Sequence, residues 1–241
     1  PQGSLLSPHL FNIFINDVPT DEGTSLAIFD DDTALSCDAP WTNITQISNK
    51  LSKSLSSVSR FFKEWKIKLN DKKTEAIVFS HSTRMLKKLD QNPLIFEGNS
   101  LPWKTQVKYL GVILDRKLTF RPHIDSVVQK ARNVVSTLYC LLKKNNSLPV
   151  NEKVSIYRSI IRPIMTYACP IFTNCPKTHF NRLQIQQNKV LRMATNAEWY
   201  TKTVDLHSQA NIPTIRDYVD KLTRNFYIRT ESHLSLIHIS E

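Results

Sequence analysis

The stretch SLAIFDDDTALS, residues 25–36, places three aspartates in a row between two short apolar runs. Adjacent carboxylates repel one another, and packing them between strand-like segments adds a desolvation cost that folding alone would avoid. Aspartate also suits a tight two-residue turn between strands. The stretch therefore predicts a β-hairpin with an acidic tip, at which positively charged groups should be bound.

Apolar periodicity around the hairpin predicts a first half that mixes helices and strands. Residues 9–18 carry apolar side chains at helical spacing and predict a mostly buried helix that ends before Pro19. Residues 42–65 repeat apolar positions every three or four residues, which predicts an amphipathic helix with one face packed on a sheet. Further strands are predicted at residues 75–80, 93–103 and 107–115. We therefore expect an α+β fold.

Beyond about residue 120 the apolar pattern is helical throughout. Helical stripes cover residues 124–142, 154–165 with an interruption at Pro163, 180–191 and 214–229. No internal repeat or low-complexity linker separates the two halves. The boundary between them, near residues 116–122, is therefore expected to be soft.

Positive charge is concentrated in the second half. The 241 residues carry a formal net charge of +11 with pI ≈ 9.5, which favours a polyanionic partner. Between residues 121 and 198 there are 3 acidic side chains (Asp125, Glu152, Glu198) and 12 basic ones (Arg121, Lys130, Arg132, Lys143, Lys144, Lys153, Arg158, Arg162, Lys177, Arg182, Lys189, Arg192). This segment predicts a nucleic-acid-binding surface, and a solvated surface that only keeps the protein soluble is the alternative.

Composition argues against a membrane protein and a disulfide scaffold. No apolar run approaches the roughly 20 residues that span a bilayer. Four cysteines are too few and too scattered for a disulfide framework, which favours a reducing, intracellular compartment. With 41% apolar residues, the chain can form one large or two modest globular domains.

Four segments, in this order and at these spacings, resemble the later palm motifs of reverse transcriptases, and the match is closest to the jockey-like group of non-LTR retrotransposons. They are PQGSLLSPHLFNIFINDVP (1–19), LAIFDDDTAL (26–35), WKIKLNDKKTEAIVF (65–79) and VKYLGVILD (107–115). Residues 183–219 resemble the helical segment that follows the polymerase core in the same elements. The resemblance thus extends from Pro1 to about His233.

The resemblance implies a domain organisation. Residues 1–117 would be the C-terminal part of a polymerase palm, an antiparallel sheet with packed helices, and residues 118–233 an all-helical thumb and connection region. Residues 234–241 resemble a translated sequencing adapter and are expected to be a non-native tail, with a C-terminal strand as the alternative. The fingers and an upstream metal-binding aspartate would precede Pro1, so this piece alone is not expected to extend a primer.

The resemblance also gives the three aspartates a role. The family pattern is aromatic, any residue, Asp, Asp, which matches Phe29 to the aromatic position and Asp31 and Asp32 to the catalytic, metal-binding pair. Two-metal polymerase chemistry implies Mg²⁺, with Mn²⁺ as an alternative, because these hard cations prefer oxygen ligands. Asp30 departs from the pattern, in which a small residue is usual.

Other motif positions are carried over in the same way. Gln2 and Gly3 would lie beside the incoming nucleotide and the template base, together with Phe29. Lys73 would be a cation near the triphosphate that stabilises charge or donates a proton to pyrophosphate, whereas the neighbouring Lys72 is expected to be a surface residue. Leu110 and Gly111 would form the hairpin that grips the primer end.

The implied function is RNA-directed DNA polymerisation on an RNA template and a DNA primer with deoxynucleoside triphosphates, in the cytoplasm and nucleus. A catalytically inactive, polymerase-derived nucleic-acid-binding module is the alternative. A third interpretation, an unrelated acidic-loop Ca²⁺ binder, is disfavoured by the glycine-poor loop.

Two further groups of side chains remain open to interpretation. Cys169, Cys175 and His179 follow a C-x5-C-x3-H spacing that lacks a fourth ligand, so zinc is not expected. Trp199 and Tyr200 would suit stacking on bases, and packing between helices is the alternative.

Overall fold

Strands and helices are interspersed as far as residue 115, and every element that the structure describes after that residue is a helix. The structure is a computed structural model that describes residues 5–38, 44–70, 72–82, 88–89, 92–144 and 146–232. The interspersed elements are α1 (Ser7–Asn16), β1 (Ser25–Phe29), β2 (Asp32–Ser36), α2 (Ile44–Glu64), β3 (Ala76–Ile77), β4 (Leu94–Phe96), β5 (Asn99–Leu101), β6 (Trp103–Lys104), β7 (Gln106–Tyr109) and β8 (Val112–Asp115).

The helices that follow are α3 (Arg121–Thr137), α4 (Tyr139–Leu142), α5 (Val150–Ile156), a π-helix (Tyr157–Ile161), α6 (Arg162–Thr166), α7 (Cys169–Phe172), α8 (Lys177–Thr195), α9 (Thr203–Ala210) and α10 (Ile215–Glu231). The mixed α and β composition that we expected is confirmed. The chain divides into two compact units, Pro1–Gly111 and Val112–Glu241. None of the described helices is long and apolar enough to cross a membrane.

The sheets of the first unit are short. β1 with β2 and β4 with β5 form antiparallel pairs, as predicted. β3 with β6 forms a parallel pair, which corrects our expectation of an antiparallel sheet. A parallel pair needs a long crossover connection, and the segment between Ile77 and Trp103, which contains the β4–β5 hairpin, supplies one.

Helix α2 supports two separate apolar clusters in the first unit. In its first half, Ile47 and Leu51 pack with Ala76, Leu94 and Trp103. In its second half, Val58 and Phe62 pack with the inner residues of the β1–β2 hairpin. The two contact points are 11 residues apart, which corresponds to roughly 16 Å along a helix. The predicted packing of this helix on strands is confirmed.

Helix α1 is less buried than its sequence predicts. Leu10 is 64% exposed and Ile13 is 67% exposed, and none of the residues of α1 is buried. The helix is anchored by Phe14, whose ring lies 5.5 Å from Phe61 and 5.0 Å from Trp65. Because α1 is apolar on several sides and contacts this aromatic cluster along one of them, the prediction of a mostly buried helix is wrong here.

The helices of the second unit enclose one apolar core. Tyr157, Phe172 and Leu191 are among its fully buried side chains. The amide of Gln187 donates to the Tyr157 hydroxyl at 3.0 Å, and burial raises the pKa of that hydroxyl to about 12.

The interruption predicted at Pro163 is present as the π-helix that ends two residues before it. Proline lacks an N–H and clashes with the carbonyl four residues back, and the wider π turn accommodates it.

A buried histidine joins α3 to β8 within the second unit. His123 is 2% exposed, its Nδ1 accepts a hydrogen bond from the Ile113 backbone N–H at 3.3 Å, and its ring lies 5.2 Å from Phe172. Burial, together with the charge of Lys130, holds its pKa below the ordinary value of 6.5. The neutral imidazole is therefore the form that the fold stabilises.

We expect the second unit to lose stability in mild acid because of this histidine. The unfolded chain takes up a proton near pH 6.5 and the folded chain does so at lower pH, so stability falls as the pH drops below about 6.5. His123→Asn retains an acceptor but cannot titrate, and its denaturant midpoint should change less than that of the wild type between about pH 7 and about pH 5. His179→Asn, which replaces a different histidine of the same unit, is the control for effects of the substitution that do not depend on His123. Equal pH dependence in His123→Asn and the wild type would contradict the assignment.

Candidate functional site

The predicted acidic hairpin is confirmed in detail. Strands β1 and β2 pair from Ser25 opposite Ser36 to Phe29 opposite Asp32, which leaves Asp30 and Asp31 as a two-residue turn. Asp30 has a φ of 54°, in the left-handed region that aspartate tolerates better than most residues. An aspartate at position 30 thus suits the backbone conformation of this turn.

The hairpin has one covered face and one open face. Leu26 and Ile28 point toward α2 and pack on the cluster around Phe62. Side chains alternate along a strand, so Phe29 and its cross-strand partner Asp32 lie on the other face, where Phe29 is 64% exposed. The next pair on that face consists of two alanines, Ala27 and Ala34. A small-residue surface beside an exposed ring and a carboxylate allows close approach of a ligand.

The carboxylates of the tip are accessible oxygen donors. Asp31 and Asp32 are both exposed, and carboxylate oxygens are the ligands that Mg²⁺ prefers. Over the ranges that the structure describes, no three His, Cys, Asp or Glu side chains are arranged to hold a metal ion together. Two exposed carboxylates can supply part of a Mg²⁺ ligand set, because Mg²⁺ usually takes one or two carboxylates and completes its shell with other oxygens.

Lys73 lies in a turn directly before β3. Its backbone N–H donates to the carbonyl and side-chain oxygens of Asn70, both at 3.2 Å, and the Thr74 hydroxyl donates to the Asn70 carbonyl at 2.9 Å. The Lys73 side chain is exposed, and within the described residues no ion pair joins it to Asp31 or Asp32. Leu69, just before this turn, packs in the same apolar cluster as Leu26 and Ile28 of the hairpin, but the described ion pairs do not join the charged groups of the two segments.

Leu110 and Gly111 form the turn between β7 and β8. Their φ values are 44° and 81°, so both residues have left-handed conformations. Glycine adopts this region without strain, whereas leucine does so at a cost of roughly 1–2 kcal/mol. Backbone strain of this kind concentrates at ligand-binding sites. The strain at Leu110 cannot be predicted from the sequence, because leucine rarely adopts a left-handed conformation.

The remaining candidate residues are either outside the described part of the chain, buried or exposed. Gln2 and Gly3 lie outside the described residues. Cys169 and Cys175 are buried in the helical core, and burial raises the pKa of both thiols. For Trp199 and Tyr200, the alternative interpretation of packing between helices is wrong, because both rings are largely exposed.

The second unit carries a basic surface on α3 and α8. The exposed cations of these helices that have no carboxylate partner among the described residues are Lys130, Arg132, Lys177 and Lys189. Between the two helices lies a groove lined by Asp125, Val128, Gln129, Arg132, Arg182 and Ile185. Asp125 pairs with both Arg121 and Arg182, so the acid in this groove is already neutralised. The remaining charge suits a polyanion.

Comparison with known proteins gives a reverse transcriptase match that covers the whole first unit and the first residues of the second. Residues 1–114 match the family model described as "Reverse transcriptase (RNA-dependent DNA polymerase)". The chain is 31% identical to the RNA-directed DNA polymerase from mobile element jockey of Drosophila funebris, over 97% of this chain and 26% of that protein. It is 30% identical to the probable RNA-directed DNA polymerase from transposon X-element of Drosophila melanogaster, over 97% of this chain and 25% of that protein.

The chain is 29% identical to the probable RNA-directed DNA polymerase from transposon BS of Drosophila melanogaster, over 98% of this chain and 26% of that protein. The similarity therefore continues beyond the family model into the helical second unit. The chain spans about a quarter of the length of these curated relatives.

Proposed function

We infer that this chain, which belongs to the reverse transcriptase family, is part of an RNA-directed DNA polymerase of a non-LTR retrotransposon. The observation that carries the proposal is the exposed pair Asp31 and Asp32 at the tip of a β-hairpin with a two-residue turn. This hairpin lies within the part of the chain that matches the family. The proposed reaction is transfer of a nucleotide from a deoxynucleoside triphosphate to the 3′-hydroxyl of a DNA primer, directed by an RNA template.

We propose that residues 1–117 form the C-terminal part of the palm and residues 118–233 the thumb and connection region. The mixture of strands and helices as far as Asp115 and the exclusively helical elements described after it support this division. Residues 234–241, the proposed non-native tail, lie outside the described residues. The cytoplasm and the nucleus are the proposed compartments for the polymerase.

Asp31 and Asp32 are the proposed ligands of Mg²⁺ or Mn²⁺, because they supply accessible carboxylate oxygens. When bound, the cation supplies positive charge to the primer hydroxyl and to the triphosphate. The hairpin contributes by rigidity: its inner face packs on α2, so the two carboxylates are presented on a fixed backbone.

The remaining site residues have proposed roles in orientation and proton transfer. Phe29 lies on the same open face as Asp32 and would contact the incoming nucleotide, with Gln2 and Gly3 beside it and the template base. The ammonium of Lys73 would donate a proton to the leaving pyrophosphate or offset its charge. The strained Leu110–Gly111 turn would contact the primer end, where the absence of a Cβ on glycine permits a close backbone approach.

An inactive nucleic-acid-binding module is the second candidate function, and Asp30 is the observation that favours it. A third carboxylate next to the proposed metal ligands departs from the family pattern and adds like charge, which repels its neighbours at the tip. Under this alternative the basic surface of α3 and α8 would still bind nucleic acid, without chemistry at the hairpin.

RNA-templated primer extension distinguishes the two functions. The chain is expressed within a protein as long as its curated relatives, and extension of a DNA primer on an RNA template is followed with each deoxynucleoside triphosphate. Template-dependent extension supports the polymerase. Tight binding of the hybrid with no extension, under both Mg²⁺ and Mn²⁺, would support the binding module instead.

We expect the chain itself to bind an RNA–DNA hybrid with little sequence preference and with strong salt dependence. Contacts of Lys and Arg with phosphates release counterions, so affinity falls with a log–log slope of about −0.9 per phosphate neutralised on B-form DNA. Lys130→Ala and Arg132→Ala should each reduce that slope by about one. Lys221→Ala, which removes an exposed lysine of α10, is the matched control. Affinity that stays constant between low and moderate salt would contradict this prediction.

A further inference from the structure

Two aromatic side chains stand at the apex of a tight turn in the second unit. The Thr201 N–H donates to the Glu198 carbonyl at 3.1 Å, so Trp199 and Tyr200 are the two central residues of a β-turn. Trp199 is 83% exposed and Tyr200 is 70% exposed, and their ring centroids lie 5.7 Å apart. Small or polar residues usually occupy these turn positions, and exposing two large rings to water is unfavourable. The packing of the unit therefore does not account for them.

The backbone that carries the two rings is fixed from both sides. The Arg192 guanidinium, near the end of α8, donates to the Thr201 carbonyl at 3.3 Å. Asn196 ends α8 with a φ of 56°, and its side-chain oxygen accepts a hydrogen bond from Lys153 Nζ at 3.4 Å. Lys153 is fully buried and also donates to the Lys143 carbonyl at 2.9 Å. Because the turn is already ordered, little conformational entropy of the protein is lost when a ligand binds to its rings.

The surroundings of the turn are mainly cationic. Lys144 forms an ion pair with Glu198, the first residue of the turn, and so offsets its charge. Lys202 follows the turn directly and is exposed, as is Lys143. The next carboxylate along the chain is Asp205, in the first turn of α9. Exposed rings framed by lysine and arginine match the chemistry of bases on a phosphate backbone.

We propose that Trp199 and Tyr200 are a stacking site for unpaired bases of a single-stranded nucleic acid, with Lys144, Lys202 and Arg192 near its phosphates. Every base has a π face, so stacking on the two rings gives affinity without sequence preference. The site is separate from the groove between α3 and α8, which carries charge but no exposed aromatic ring among its lining residues. It lies in the second unit and does not rest on the polymerase chemistry of the hairpin.

The test compares the unchanged chain with Trp199→Ala and with Tyr200→Ala in binding titrations. The probes are a labelled oligothymidylate and an abasic strand of the same length and charge. Each substitution should weaken binding of the oligothymidylate about tenfold and binding of the abasic strand less than about twofold. The ratio of wild-type to variant affinity should stay constant as salt is raised, because stacking releases no counterions. Trp199→Phe, which keeps a ring, should restore most of the affinity.

Tyr227→Ala is the matched control, since Tyr227 is 53% exposed and pairs with Phe226 on α10 in a similar edge-to-face geometry. It should leave the binding of both strands unchanged. Equal weakening of the two strands by Trp199→Ala, or loss of binding in Trp199→Phe as complete as in Trp199→Ala, would overturn the stacking site. Unchanged binding in both turn variants would also overturn it and assign the rings to another partner.

Discussion

Asp31→Asn is expected to abolish RNA-templated primer extension in the complete polymerase, lowering the rate by at least about 10³-fold. Asp31 lies exposed in the turn of the hairpin, so the substitution removes a negative charge without removing a buried packing contact. A neutral amide is a poorer ligand than a carboxylate for a hard cation. Asp32→Asn, on the open face beside Phe29, should also be damaging. Extension in single-turnover assays measures the effect, and the thermal midpoint should change little.

Asp30→Asn is the matched control, because it removes one charge from the same turn. Asparagine tolerates the left-handed conformation that Asp30 adopts, with a φ of 54°, so the hairpin should be unaffected. Activity should be equal to that of the wild type or higher, since like-charge repulsion at the tip is reduced. A loss of activity in Asp30→Asn as large as in Asp31→Asn would show that the catalytic pair is misassigned.

The hairpin could be predicted from the sequence because its determinants are local. Two apolar runs separated by aspartates specify strands and a turn, and the observed register follows from a two-residue loop. The sequence predicts aspartates at the tip but does not say which two of the three form the turn. The pairing of Phe29 with Asp32 assigns the turn to Asp30 and Asp31.

The features that sequence analysis missed depend on contacts between distant segments. The parallel pairing of β3 with β6 arises because an intervening hairpin is inserted between them, and no local pattern encodes it. The exposure of α1 depends on which neighbours are available to cover an apolar helix. The sequence is equally compatible with Trp199 and Tyr200 in the core or on the surface, because aromatic side chains are abundant in both settings. The hydrogen bond from Thr201 to Glu198 is what places them at a turn apex.

Lys73→Ala is expected to lower the extension rate about 10²-fold to 10³-fold, the usual effect of removing a general acid or a charge that stabilises a leaving group. Lys73 is exposed and its backbone, not its side chain, makes the hydrogen bonds that form its turn. The alanine variant should therefore fold normally. Its defect should appear in the rate at saturating nucleotide more than in the affinity for primer and template, because pyrophosphate departs during chemistry.

The adjacent Lys72 provides the matched control, since Lys72→Ala changes the net charge of the same turn by the same amount and should leave the rate close to that of the wild type. Lys73→Arg separates the two proposed roles of the ammonium group. Arginine keeps the positive charge but is a poor proton donor because its pKa is above about 12. Recovery of most of the rate in Lys73→Arg would assign charge stabilisation, and a defect like that of alanine would assign proton transfer. A larger loss of rate in Lys72→Ala than in Lys73→Ala would contradict the assignment. Lys72, and not Lys73, would then be the lysine of this turn that acts on the triphosphate.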